Sequence, residues 1–186
     1  MTNEIKIIAL VGKAGSGKDT LLQETMKKYP DKFHEIISCT TRPPRENEVD
    51  GKNYYFLSIE EFTKKLLAGD LLEATEFNEW HYGTLLSSLS KEKVNIGVFN
   101  IDGIICLQDN PFIDLTTIYI TCSDKERLLR QLNREIDPNV NEIIRRYNAD
   151  NEDFETIEDE VYEFFTFKNE NQFNLNDFIT FIGRLS

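Results

Sequence analysis

The chain has 186 residues, of which 40% are hydrophobic, 11% aromatic and 29% charged, a balance that supports one folded domain with movable lobes and excludes a disordered polyelectrolyte. Thirty-three acids against 21 bases leave a net charge of −12; a field of that sign repels polyphosphate backbones, which argues against nonspecific nucleic-acid binding and confines any anionic ligand to places where basic residues gather. Three widely spaced cysteines, Cys39, Cys106 and Cys122, offer neither a disulfide framework nor a metal-ligand spacing and read as small buried hydrophobes, and no apolar run approaches the ~20 residues of a membrane span, so a cytoplasmic protein is expected.

In chain order, Ile5, Ile7, Ile8, Leu10 and Val11 form a short apolar run, the signature of a strand buried on both faces of a parallel sheet. A glycine-rich turn follows, then a helix from about Lys18 with Leu21, Leu22 and Met26 at helical spacing and Pro30 beyond its end. Residues 54–58 read as a strand, and Ser58 with Glu61 as a capping box opening a helix that Gly69 stops. A half-exposed strand is predicted over 71–80, with buried core strands over 94–102 and 116–122. Ser123 and Glu126 read as a second capping box, opening a helix over 124–135, and a further helix begins near Asn141. A last strand at 163–169 precedes a terminal helix at 174–185. Strands alternating with helices predict an α/β fold with a central, mainly parallel sheet in three layers. Residues 38–84 break the alternation and read as an inserted lobe. Residues 150–177 carry ten acids and one lysine and read as a solvated acidic face.

Gly12 to Lys18 matches G-x-x-x-x-G-K between the first strand and the first helix. Glycines let backbone N–H groups turn inward around phosphate oxygens. Lys18 adds positive charge for the β and γ phosphates, and the helix adds its positive N-terminal end. Asp19 holds the place usually taken by Ser or Thr, so Thr20 is the hydroxyl expected in a Mg2+ shell. Further on, SCTTRPPRENEVDGKNYYF sets Arg42 and Arg45 three residues apart around two prolines. Two guanidiniums on a stiffened segment suit a doubly charged phosphate, although taken alone they also read as surface charges. Tyr54 and Tyr82 can add phenolic donors.

With these residues in view, the chain resembles the guanylate kinases, P-loop nucleoside monophosphate kinases, along nearly its whole length. The stretches that carry the resemblance are GKAGSGKDT, SCTTRPPRENEVDGKNYYF, LLEATEFNEWHYGT and the segment bearing Arg130 and Arg134; the second is the most specific. The resemblance implies transfer of the ATP γ-phosphoryl group to GMP with Mg2+, in a protein that is a monomer or homodimer. It implies a core of residues 1–37, 85–129 and 147–186, a GMP-binding lobe at 38–84 and a helical lid at 130–146. ATP would meet Gly12, Lys13, Ala14, Gly15, Ser16, Gly17, Lys18, Asp19, Thr20 and, at the adenine, Asn169. GMP would meet Arg42, Arg45, Tyr54 and Tyr82 at its phosphate, Ser38, Glu73 and Thr84 at the guanine, Asp102 in support of the base, and Glu48 nearby. Lys18, Arg130, Arg134 and Arg146 would supply the charge that the transition state needs, the last aligned to within one residue.

Elementary chemistry agrees, since phosphoryl transfer asks for alignment and charge neutralisation more than for covalent help. His34 and His81 read as lobe residues. Arg130 and Arg134, four apart on the predicted helix, would project to one face. Three positions depart from the family pattern: Asp19, Asn100 where an aspartate is usual, and the lid segment REIDPNV, which lacks a glycine after its arginine. These leave open a deoxynucleotide acceptor, a sugar phosphate such as ribose 1,5-bisphosphate, and a non-catalytic binding module.

Overall fold

The apolar run at the start of the chain becomes the centre of a sheet. The structure is a computed structural model describing residues 4–45, 48–77, 79–134, 136–170 and 175–185. Its elements are β1 (Ile5–Val11), α1 (Lys18–Lys28), β2 (Phe33–Glu35), β3 (Cys39–Thr40), β4 (Tyr55–Phe56), α2 (Ile59–Ala68), β5 (Leu71–Phe77) and β6 (Trp80–Leu85). They continue with β7 (Val94–Val98), α3 (Ile101–Gln108), β8 (Ile113–Thr121), α4 (Asp124–Leu132), α5 (Val140–Asp153), α6 (Ile157–Glu160), β9 (Phe165–Lys168) and α7 (Leu175–Arg184).

Five strands form one parallel sheet in the order β2-β7-β1-β8-β9. Successive side chains on β1 point to opposite faces. Ile8 and Leu10 pack with Leu21 and Leu22 of α1 and Phe178 and Ile182 of α7. Ile7, Ala9 and Val11 pack with Ile101, Ile104 and Leu107 of α3 and Ile157 of α6. Helices therefore cover both faces, giving three layers. A second sheet, β4-β3-β6-β5, closes on its own small core of Cys39, Phe62 and Leu85. Asn100 Nδ2 donates to Thr75 Oγ1 of β5 at 3.1 Å, joining the end of the first sheet to the second. Among the described residues no helix is long and apolar enough to cross a membrane.

Several boundaries differ from the sequence expectation. The segment 71–80 holds one arm of a hairpin and the start of the other: β5 ends at Phe77, which faces Trp80 at the start of β6, with Glu79 at φ 66. The alternation runs straight through this turn and no glycine marks it, so periodicity alone reads one strand. The strand expected over 94–102 ends at Val98, because the Asn100 side chain accepts the Gly103 N–H at 2.8 Å and caps α3, placing Asp102 in a helical first turn. The helix expected over 124–135 ends at Leu132, so Arg134 lies beyond it. Pro138 follows closely, and the residue before a proline is disfavoured in helical conformation. β8 begins three residues earlier than expected, at Ile113, while the strand expected over 54–58 shortens to Tyr55–Phe56. Of the cysteines only Cys39 is buried; Cys122 is intermediate and Cys106 exposed. The start expected for the last helix, Asn174, lies outside the described residues.

The two capping boxes turn out differently. At Ser58 both halves are present, the hydroxyl accepting from the Glu61 N–H at 3.1 Å and the Glu61 carboxylate accepting from the Ser58 N–H at 2.8 Å. At Ser123 only the hydroxyl half forms, at 3.4 Å, because the Ser123 N–H turns to Glu170 and the Glu126 carboxylate to Arg130. Replacing Ser58 by alanine should therefore lower unfolding stability by about 1 kcal/mol, read as a shifted urea midpoint with an unchanged slope.

Candidate active site

The loop after β1 leaves the carboxyl edge of the sheet between β7 and β8, where the chain switches sides and ligands of α/β sheets bind. Two glycines are needed for its path. Gly15 has φ +78, and a Cβ there would lie 2.6 Å from the Arg127 carbonyl oxygen. Gly17 has φ +95, precedes α1, and a Cβ there would strike the Asn169 side-chain amide. The Asn169 amide donates to the Ser16 carbonyl at 2.6 Å, and the Arg130 guanidinium donates to the carbonyls of Ser16 at 3.2 Å and Asn169 at 3.1 Å. Both residues thus hold the loop from behind and lie outside the cleft lining. Lys18 bends back to donate to the Gly12 and Lys13 carbonyls. Desolvation holds its ammonium below the usual lysine range, helped by Arg127 and opposed by Asp19 and Asp150. The Ser16 hydroxyl is buried and has no hydrogen-bond partner among the described residues. Asp19 and Thr20 are exposed on the first turn of α1.

Across a cleft of about 790 Å³ from Lys18 stand Ser38, Arg42, Arg45, Tyr54 and Tyr82. Arg42 is only 8% exposed, and its planar head lies over the rings of Tyr54 and Phe56. Glu48 turns to Arg42 and away from the cleft, with N–O distances of 3.0 and 2.9 Å, and its carboxylate also accepts the Arg45 N–H at 2.8 Å. Those bonds hold its carboxyl below the ordinary value against the opposing effect of burial. Arg45 is held below the usual arginine range, first by desolvation and then by repulsion from Arg146 and Arg42. Three guanidiniums from two parts of the chain therefore converge on one space. Burial pushes the Tyr54 phenol up to about 12, with the negative charges of Tyr82 and Asp19 adding to it.

Glu73 faces the same cleft and is 8% exposed. It sits opposite Thr84 across the β5–β6 hairpin. Thr84 is fully buried outside the lining, and among the described residues its hydroxyl makes no hydrogen bond of normal geometry; its nearness to Glu73 only partly opposes the desolvation that raises the carboxyl to about 7. Asn100 and Asp102 line the neighbouring wall.

The remaining wall is α5, which brings Glu142, Arg145, Arg146 and Asp150 to the cleft. Glu142 takes Arg145 in a two-pronged contact at 2.8 and 3.0 Å and Arg146 at 2.7 Å. Those bonds, Arg145 first, hold its carboxyl at about 2. Arg134 is exposed outside this constellation and shares no helical face with Arg130. Sequence reasoning missed Arg145, although it adjoins Arg146, and missed Arg127 and Asp150. Arg127 stands three residues before Arg130, and Asp150 was folded into a stretch read as solvated, yet Asp150 accepts both the Ala14 N–H and an Arg127 N–H.

The sequence model of one family, described as guanylate kinase, matches residues 4–176. The chain belongs to the guanylate kinase family. The guanylate kinase of Chlamydia felis is 37% identical over 131 residues, covering 68% of this chain and 63% of that relative. That of a Synechococcus strain is 46% identical over 92 residues, 50% of this chain and 49% of the relative. The chain thus spans between about half and just under two thirds of the length of these relatives. The solved guanylate kinase of Anaplasma phagocytophilum superposes with a TM-score of 0.68 at 17% identity, covering 100% of this chain and 85% of that one, a likeness of fold.

Guanylate kinase family membership implies Mg2+ alongside ATP. Among the described residues no group of three or more His, Cys, Asp or Glu could hold a metal. Mg2+ keeps most of its waters and asks for one or two protein oxygens beside substrate phosphates; the oxygens of Asp19 and Thr20, exposed on the first turn of α1, are of the kind that would supply them.

Glu73 makes the stability of this family member depend on pH. Its folded-state pKa of about 7 lies above the ordinary 4.5, so the folded protein keeps a proton that the unfolded chain has lost between those values. Glu73 should therefore weaken the fold progressively as pH rises from about 4.5 to 7, by up to about 3 kcal/mol. Urea titrations across that range should show Glu73→Gln falling less steeply than the parent protein; equal slopes would show that the carboxyl titrates normally.

Proposed function

We propose that this chain transfers the γ-phosphoryl group of ATP to GMP or dGMP, giving ADP and the nucleoside diphosphate, in the cytoplasm. The observation that carries the reading is that the phosphate loop with Lys18, the convergent guanidiniums of Arg42, Arg45 and Arg146, and the buried carboxyl of Glu73 all border one cleft.

The acceptor phosphate binds between Arg42 and Arg45, with Tyr54 and Tyr82 as further donors. Its dianion meets positive charge that is already desolvated and held in place, so little reorganisation accompanies binding. The γ-phosphoryl group lies between it and the loop, near Lys18 and Arg146. An acceptor oxygen forms the new bond to the γ-phosphorus while the bond to the β–γ bridging oxygen breaks, and ADP leaves with that electron pair. The attacking oxygen is ionised beforehand, so no side-chain base is needed. The histidines are engaged elsewhere, His34 Nε2 on the Ser88 carbonyl at 2.8 Å and His81 stacked on Phe62. Mg2+ bound with ATP adds positive charge at the phosphate oxygens, with Asp19 and Thr20 in support. The second sheet and the α4–α5 segment serve as lobe and lid, and their closure excludes water from the transferring group.

Guanine follows from hydrogen-bond polarity. It presents N1–H and N2–H₂ side by side, and an ionised Glu73 accepts both, while its O6 accepts from Ser38, which lines the cleft. Thr84, the other hydroxyl expected at the guanine, is fully buried outside the lining and acts on Glu73 from behind. Adenine would set the lone pair of its N1 against the carboxylate.

Coupled ADP-release assays across ribo- and deoxynucleoside monophosphates should give GMP or dGMP a kcat/KM roughly 10⁴-fold above that of AMP, CMP or UMP. From pH 7 to pH 6 GMP affinity should fall roughly fivefold more in the parent protein than in Glu73→Gln as Glu73 protonates, the two sharing the smaller loss that comes from protonation of the GMP phosphate itself. AMP used as well as GMP, or a sugar bisphosphate preferred to both, would overturn the assignment. Lys18→Ala should fold and lose about two orders of magnitude or more in kcat; half the parent rate would remove Lys18 from the chemistry.

A further inference from the structure

Both polar atoms of the Ala14 backbone are held by side chains from outside the phosphate loop. Asp150 Oδ2 accepts the Ala14 N–H at 2.6 Å, and Arg127 Nε donates to the Ala14 carbonyl at 3.0 Å. The two side chains meet at 2.9 Å, and Arg127 reaches Asp124 at 2.9 Å with its remaining nitrogen. Tyr147 closes the group, its ring beneath the Arg127 guanidinium and its hydroxyl donating to Asp124 at 2.9 Å. One residue to either side the tie repeats, with Lys13 Nζ donating to Asn151 Oδ1 at 2.7 Å.

Fold stability alone does not call for this arrangement. Arg127 is 1% exposed, and a guanidinium so desolvated returns no more stability than well-packed apolar residues of similar volume would. What the charged pair adds is direction. It grips one peptide of the loop from α4 and α5 together. Asp150 stands four residues after Arg146, so both occupy one face of α5, and both border the cleft. Displacing Asp150 from Ala14 would therefore displace Arg146 relative to Lys18.

We propose that Arg127 and Asp150 are positioning residues for phosphoryl transfer: they fasten the helix carrying Arg146 to the phosphate loop at Ala14, so that the lid arginine and the donor-phosphate cradle keep one register. The inference rests on the kinase reading above. It differs from a blocking role, in which Asp150 would hold an N–H that ATP needs and its loss would tighten ATP binding.

The test is a cycle of Arg127→Leu/Asp150→Ala, Arg146→Ala and the combined triple variant, assayed with ATP and GMP. The paired substitution leaves no buried charge unpaired. It should lower kcat roughly ten- to a hundredfold, as a misplacement of about 1 Å does, while changing the KM for GMP less than about threefold. Adding it to Arg146→Ala should cost little more, because neighbours acting through one another are not additive. Fully additive losses, an unchanged kcat or tighter ATP binding would each overturn the proposal. Asp150→Asn keeps an oxygen for the Ala14 N–H and should retain more kcat than Asp150→Ala; the reverse order counts against it. Hydrogen exchange on the full chain supplies a readout that needs no activity: the paired substitution should speed exchange in residues 12–18 and 140–153 together, and a change confined to one segment would refute the clamp. A parent protein that phosphorylates no nucleoside monophosphate defeats the proposed function, and the exchange result still decides whether the clamp exists.

Discussion

A stretch of backbone that must stay bare on its inner side sets the terms for this fold. Residues 12–18 offer peptide N–H groups to a phosphate only if no side chain stands in front of them. The neighbours that shape the loop press on it from behind: the Ile120 carbonyl of β8, the Arg127 carbonyl of α4 and the Asn169 amide just after β9. Each would collide with a Cβ at Gly12, Gly15 or Gly17 respectively. The glycines thus serve both surfaces of the loop at once. Their absence of side chains leaves the inner face open and lets the outer face seat against two strands and a helix.

The distribution of charge follows a second constraint. A chain of net charge −12 draws an anionic substrate only where its few bases are concentrated, and concentrating them in an empty cleft is costly. The cost is divided by partial neutralisation. Glu48 engages Arg42, and Glu142 engages Arg145 and Arg146. Arg45 is linked to Glu48 through its backbone N–H, and its side chain bears the repulsion of Arg146 and Arg42. Glu73 is the reverse case, a carboxyl in the same cleft that burial raises and that Thr84 only partly relieves. On the proposed reading the cationic end receives phosphate and the buried carboxyl receives the donors of guanine, so ligand binding relieves both strains.

Much of this was legible in the sequence wherever chemistry and local geometry coincide. The phosphate loop is contiguous and its requirement for glycine is local. The apolar run of β1, the Ser58–Glu61 cap and the arginines flanking two prolines are likewise encoded within a few residues. Arg42, Arg45, Tyr54 and Tyr82 could be named from such segments and Glu73 through the family resemblance, and the cleft gathers all five.

The tertiary structure decided what depends on partners distant in sequence. Arg127 and Asp150 lie 23 residues apart and meet the loop 113 and 136 residues away; separations of that size leave no periodicity to read. Asp150 also sits in a run of acids whose ordinary place is the surface, so only packing distinguishes the one that meets Arg127 and the phosphate loop. Asn100 was read as a departure at a strand end, while the hydrogen bond to the Gly103 N–H makes it the start of a helix. The hairpin at 77–80 was invisible because side-chain alternation has the same period on either side of a turn. Sequence alone determined the class of fold and the residue types gathered around the cleft, since those follow from local sterics and charge. Which arginines reach the cleft, and what holds them there, was settled by where the helices end and what they pack against.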